Sequence, residues 1–160
     1  MIFVTVGTHY QGFERLIRKM DKIAGRIDDE VIMQIGYTTY EPKNAKWFRF
    51  LEREEDILEL YKKADVIVAH AGAGTLLTAL SFGKPIVVVP RLKKFGEHVD
   101  DQQLELAEAL ENMNKAIAVY DIEKLEDAIK KAKLLLKYRP IQRNKKLILF
   151  LKSTLRRLEK

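Results

Sequence analysis

Residues 65–90 read DVIVAHAGAGTLLTALSFGKPIVVVP. Two short apolar runs, Asp65–Ala69 and Pro85–Val89, flank a glycine-containing turn and a stretch of helical spacing, Thr75–Phe82. Runs of this length, rich in Val and Ile and lacking polar alternation, suit strands buried on both faces. A strand, a turn, a helix and a second such strand form the unit that joins parallel neighbours. The same order extends outward in both directions. Ile2–Val6 and Val31–Ile35 are further strands, each closed by a glycine (Gly7, Gly36), and a short strand-like piece covers Trp47–Leu51. Phe13, Leu16, Ile17, Met20 and Ile23 recur at helical spacing, and Ile57, Leu58 and Tyr61 mark another helix. Beyond Pro90 a helix is expected over Asp100–Leu110, a last strand over Ala116–Tyr120, and a helix over Ile122–Leu136 with Asp121 as its N-cap. The sum is an α/β fold: a Rossmann-like, doubly wound parallel sheet covered by helices, one domain over 1–160.

After Pro140, Leu147, Ile148, Leu151, Leu155 and Leu158 form the apolar stripe of a basic amphipathic C-terminal helix over 139–160. That stripe either docks a partner or folds back on its own domain. The net charge of +6 is uneven: 12 Lys/Arg and one acid lie between Lys130 and Lys160, against 17 Lys/Arg and 22 Asp/Glu before them. Such a tail suits an anionic membrane surface, nucleic acid or an acidic partner, or is a solvated helix face. With 47% hydrophobic and 32% charged residues the chain has a globular composition. The absence of Cys excludes disulfides, thiolate metal sites and thiol catalysis, and reads as cytosolic. Met1–Val6 is too short for a signal sequence, and no apolar run approaches the ~18 residues of a membrane span.

In open α/β sheets ligands lie beyond the carboxyl ends of the strands. Three loops there carry chemistry: Gly7–Gly12, His70–Thr75 and Arg91–Gln103. In the second, Gly72 and Gly74 let backbone N–H groups approach an anion where a helix begins, and Thr75 either caps that helix or bonds a phosphate oxygen. The third glycine of a dinucleotide fingerprint would fall at Leu77, and no Gly-Lys-Ser/Thr follows, so neither that motif nor a Walker A loop is present. A tight turn alone would also use these glycines, and a histidine at position 70 is as readily structural as catalytic. Gly7-Thr8-His9 is a second backbone anion site or a capped turn. The third loop combines amides and carboxylates suited to sugar hydroxyls with Arg91, Lys93 and Lys94, suited to phosphate. His98, Asp100 and Asp101 offer a metal too few ligands.

The run over 65–91, followed by FGEHVDDQQLELA at 95–107 and preceded by VTVGTHYQGFERLI at 4–17, resembles the C-terminal, donor-binding half of GT-B-fold glycosyltransferases of family 28. Within that family it is similar to the short catalytic subunits of two-component UDP-sugar transferases. These include the eukaryotic enzyme adding the second GlcNAc to dolichol-diphosphate-GlcNAc and bacterial exopolysaccharide transferase subunits. The resemblance covers about residues 1–120. It implies that Gly7 and Thr8 approach the donor diphosphate and that His70, Gly72, Ala73, Gly74 and Thr75 line the same pocket. Arg53 and Glu54 would hold the uracil, largely through backbone, and Asp101, Gln102 and Gln103, with His98 nearby, the sugar. Many relatives have His where this chain has Gln102, and those that hold the ribose with a carboxylate have Glu where it has Thr78.

The reaction so implied is inverting transfer from a UDP-sugar such as UDP-GlcNAc to a lipid-linked acceptor, without metal or cofactor. His9 and His70 are the candidate catalytic residues, although a partner is the favoured source of the base. The acceptor and an anchor would come from a separate membrane subunit, placing the chain peripherally at the cytoplasmic face. No nucleic-acid partner is expected. The rival readings are a basic α/β module binding nucleic acid or anionic lipid through 130–160, and a complete small-molecule enzyme such as a nucleotide-sugar epimerase fragment.

Overall fold

The computed structural model describes residues 1–138 together with 149, 152 and 153. Its centre is a sheet of six strands: β1 (Ile2–Thr5), β2 (Val31–Gln34), β3 (Lys46–Phe48), β4 (Val66–His70), β5 (Ile86–Val89) and β6 (Ile117–Ala118). They lie in the order β3-β2-β1-β4-β5-β6, and every neighbouring pair is parallel. Among the described residues five α-helices accompany them: α1 (Glu14–Ala24), α2 (Glu54–Lys63), α3 (Ala73–Ser81), α4 (Gln102–Asn112) and α5 (Leu125–Tyr138).

The central strands are apolar at nearly every position because successive side chains enter opposite, equally covered faces. On one face Val4, Val68 and Val87 meet Phe13, Leu16 and Met20 beside and on α1, and Leu125 and Ile129 of α5. On the other, Phe3, Ile67 and Val88 meet Tyr61 of α2, Leu76 of α3, and Leu106 and Leu110 of α4. Each fully buried aliphatic side chain contributes about 1.5–3 kcal/mol, so both layers hold the sheet.

From β1 the chain builds β2 and β3 on one side, then crosses to lay β4 on the other. The strand order reverses between β1 and β4, and loops leaving neighbouring strands there diverge to open a crevice. The register pairs Thr5 with Ala69 and His70 with Val89, so the carboxyl ends of β1, β4 and β5 are level.

The edges depart from the sequence reading. Among the described residues β3 pairs only with β2, and it stops at Phe48, releasing Phe50 and Leu51 from the sheet. β6 is two residues long, paired with Val87 and Val88. The Asp121 carboxylate accepts the Glu123 N–H as expected of a cap, but it caps a 3-10 turn over Ile122–Lys124, after which α5 begins. Gln102 and Gln103 belong to the first turn of α4 rather than to the preceding loop. The basic helix expected over 139–160, with its stripe from Leu147 to Leu158, lies outside the described residues but for 149, 152 and 153. Among the described residues no helix is long and apolar enough to cross a membrane.

Candidate functional site

A cleft of about 910 Å³ opens at the strand ends, between the loop after β1, the start of α3 and the start of α4. The loop after β1 is held from beneath by Gln34, the last residue of β2. Its side-chain carbonyl accepts the Val6 and Gly7 N–H groups at 3.1 and 3.0 Å and the Thr5 hydroxyl at 2.6 Å. Its amide nitrogen donates to the Gly7 and Arg49 carbonyls, both at 2.9 Å. The Gly7 N–H is therefore engaged inside the protein, which corrects the expectation that it would reach for an anion. Gly7 serves through its backbone angle (φ +71°) and its lack of a side chain, since a Cβ would lie 2.4 Å from His70 Nε2.

His70, the last residue of β4, is buried between two glycines; a Cβ on Gly72 would also come within 2.4 Å of its ring. Nδ1 lies 3.3 Å from Arg91 Nε and 3.3 Å from Gln103 Nε2, and Nε2 lies 3.0 Å from Thr75 Oγ1. Burial, then the charge of Arg91 and the nearby His9 and His98, holds its pKa well below the ordinary imidazole value. Arg91 has no exposed surface. Its guanidinium donates to the carbonyls of Val6, Gln11, Gly12 and Glu97, joining the loops after β1 and β5. Burial lowers its pKa to about 10, against the opposing charge of Glu97, so it stays charged at neutral pH. The sequence reading grouped Arg91 with Lys93 and Lys94 as phosphate-binding cations. In the fold Arg91 turns inward, Lys94 sits over the Phe95 ring, and no Lys or Arg lines the cleft among the described residues.

The anion-binding elements that remain are neutral. Gly72 caps α3 without a side-chain hydrogen bond, so the first N–H groups of the helix, with its positive dipole end, face the cleft at Ala73 and Gly74. Gly74 is exposed, and a Cβ there would meet nothing within 4 Å. Thr8, Thr75 and Thr78 line the same space, although the Thr78 hydroxyl donates to the Gly74 carbonyl. Phe50, Leu51, Ile57 and Leu58 give one wall an apolar surface, and Tyr61 lies at its base. Burial pushes the Tyr61 hydroxyl up to about 12, against the hydrogen bond with Thr5, so it is a donor and not a base. Gln102, Glu105 and Leu106 of α4 line the cleft as well.

At the rim the His9 and His98 rings stack at 4.5 Å, and His9 Nε2 lies 2.7 Å from the Gln11 side-chain carbonyl. An amide oxygen only accepts, so His9 carries a proton on Nε2, and in the neutral ring Nδ1 is the acceptor nitrogen. Burial and His9 lower the pKa of His98, partly offset by Asp100.

The structure thus brings together Gly7, Thr8, His9, Glu54, His70, Gly72, Ala73, Gly74, Thr75, Thr78, His98, Gln102 and Gln103. Two of the expected residues do not line the cleft. Arg53 precedes α2, and its exposed side chain pairs with Asp56 at 3.0 Å. The Asp101 carboxylate accepts the Lys93 N–H. Gln103 lines the cleft, but its carbonyl accepts the Ala71 and Arg91 N–H groups, which leaves it a bracing rather than a hydroxyl-binding amide. His98 and Asp100 pair at 3.3 Å, and with Asp101 turned away no group of three or more metal-ligating side chains forms among the described residues. Sequence reasoning passed over Gln34, Phe50, Leu51, Tyr61 and Glu105. A glutamine ending an apolar strand and a glutamate one turn beyond Gln102 were the available signals.

The model of the glycosyltransferase family 28 C-terminal domain matches residues 1–158. The chain belongs to this family. It is similar to the human UDP-N-acetylglucosamine transferase subunit ALG13, 40% identical over 119 residues, which are 68% of this chain and 10% of that protein. It is also similar to the UDP-N-acetylglucosamine–N-acetylmuramyl-(pentapeptide) pyrophosphoryl-undecaprenol N-acetylglucosamine transferase of Sorangium cellulosum. That match is 34% identical over 65 residues, 41% of this chain and 15% of that one. The chain therefore spans a small part of the length of these relatives. Among solved structures, the glycosyltransferase of kitacinnamycin superposes with a TM-score of 0.64 at 22% identity, covering 98% of this chain and 38% of that one. This likeness establishes the fold of the family-28 domain seen here.

Proposed function

We propose that this chain binds the donor of an inverting UDP-sugar glycosyltransferase, UDP-GlcNAc or a related nucleotide sugar, and works without a metal. The observation that carries the reading is the cleft itself. An uncapped helix start with an open Gly74 faces space flanked by an apolar wall at Phe50 and Leu51 and by polar Gln102 and Glu105. The first suits a diphosphate, the second a flat base, the third the hydroxyls of a sugar. Transition-state charge on the departing UDP would be met by the α3 N–H groups, each preorganised donor contributing about 3 kcal/mol in well-studied cases. The bases of proton transfer are His9, whose Nδ1 is the acceptor nitrogen, or a group on a second protein.

The human relative is named as a transferase subunit, and the bacterial relative as acting on a lipid-linked pyrophosphoryl acceptor. On that basis the chain pairs with a membrane-anchored subunit that holds a lipid-linked acceptor at the cytoplasmic face. Calorimetric titration with UDP, UDP-GlcNAc and UDP-glucuronic acid in the absence of metal tests the donor site. Saturable UDP-dependent heat is expected from the wild type and not from Gly74→Val, which fills the open position without disturbing the fold. The absence of UDP-dependent heat from folded protein, both alone and with a co-expressed membrane partner, refutes the reading.

A further inference from the structure

We infer that Arg91 is a positioning residue that fixes the proton of His70 on Nε2 and thereby turns the Thr75 hydroxyl into a hydrogen-bond donor facing the cleft. A guanidinium has only donors, and Arg91 Nε lies 3.3 Å from His70 Nδ1. Gln103 adds a second donor there. Its carbonyl is committed to the Ala71 and Arg91 N–H groups, which directs its NH2 to the same nitrogen at 3.3 Å. With two donors aimed at it, Nδ1 is the acceptor, and the neutral imidazole carries hydrogen on Nε2. Nε2 then donates to Thr75 Oγ1 at 3.0 Å. A hydroxyl that accepts from the imidazole keeps its own hydrogen to give elsewhere.

The direction of that one hydrogen matters because the cleft is without cationic side chains among the described residues, while Glu54 and Glu105 line it. An anion there must be held by neutral donors. In the opposite tautomer Nε2 would accept, the Thr75 hydrogen would turn back to it, and an oxygen lone pair would face the anion. Gly7 and Gly72 pack so closely on the ring that it has no room to tilt out of this arrangement. The proton placement stands on geometry alone; only the identity of the anion rests on the donor-binding reading.

Long-range 1H–15N spectra of the whole chain read the His70 tautomer with no ligand present, its three histidines assigned by single substitutions. The Nε2–H form is expected, and an Nδ1–H form overturns the inference. UDP titration tests the consequence. Thr75→Val weakens binding about tenfold or more, the range for a hydrogen bond to a charged group, and Thr75→Ser recovers most of the loss. Wild-type affinity in Thr75→Val overturns the relay. Arg91→Met shifts His70 toward Nδ1–H and weakens UDP binding, Arg91→Lys restores part of both, and the loss on Arg91→Met largely disappears in a Thr75→Val background. An equal loss in both backgrounds reduces Arg91 to a structural brace and overturns the assignment. If Arg91→Met does not fold, Arg91→Lys decides: a wild-type His70 tautomer together with wild-type UDP affinity in that variant overturns the assignment of Arg91. Failure of the wild type to bind UDP removes the proposed donor, while the spectra still decide where the proton lies.

Discussion

Replacing either glycine that encloses His70 tests how the site is assembled, because the two substitutions differ by one physical effect. Gly72 has ordinary extended angles (φ −77°, ψ 132°), so alanine there meets no backbone penalty. Its Cβ would nevertheless lie 2.4 Å from His70 Cε1, and the buried ring must move. Overpacking of this kind costs about 1–3 kcal/mol. Gly7→Ala brings a similar clash with Nε2 and adds a left-handed backbone (φ +71°), about 1–2 kcal/mol more. The expected losses are therefore about 1–3 kcal/mol for Gly72→Ala and about 2–5 kcal/mol for Gly7→Ala. Against a domain stability of about 5–15 kcal/mol, Gly72→Ala leaves a measurable unfolding transition, whereas the upper end of the Gly7→Ala loss equals the lower end of that range. Urea unfolding followed by the fluorescence of the single tryptophan, Trp47, measures both. The decisive comparison is a His70→Ala background, where the ring is gone. Gly72→Ala should then cost almost nothing, while Gly7→Ala should retain about 1–2 kcal/mol of backbone strain. A Gly72→Ala cost that is the same with and without the imidazole refutes the account of these glycines as space for His70.

Two further outcomes follow from other parts of the molecule. Burial of Asp21 opposes its charge, but hydrogen bonds from the Tyr40 hydroxyl and the Lys43 and Asn44 N–H groups outweigh it and leave its pKa below the ordinary carboxylate value. A group depressed in the folded state stabilises above its unfolded pKa near 4 and loses that contribution as pH falls through the folded value. Asp21→Asn should thus destabilise by about 1–3 kcal/mol at neutral pH and by less once the pH has fallen through the lowered folded pKa of Asp21, read from urea unfolding across pH. A constant difference over that range would contradict it. UDP affinity should respond weakly to salt because the described part of the cleft presents no Lys or Arg. Less than about a tenfold loss is expected for a tenfold rise in salt, whereas a surface gripping 6–10 phosphates loses roughly 10³-fold or more over a fourfold rise. A steep dependence would point instead to the basic C-terminal segment.

What the linear sequence determined was the layered frame and the place where ligands gather. Asp65–Ala69, Pro85–Val89 and Ile2–Val6 read as buried parallel strands because burial on both faces leaves a local mark, several apolar residues without alternation. From that mark the parallel order and the crevice beyond the strand ends follow, and the three loops expected to meet there do so. The ends of the edge strands were less legible, since a strand paired on one side has no matching apolar signal, and Phe50 and Leu51 left β3 to line the cleft. Tertiary structure alone decided which way the polar groups turned. Arg91 reads as a surface cation among lysines, yet it is buried, with hydrogen-bond partners at Val6 and Gln11, 85 and 80 residues away. Gln34, Gln103 and the Gly7 N–H likewise found partners across the fold rather than along the chain. A buried polar group must be matched in three dimensions, and residue spacing carries no record of that match.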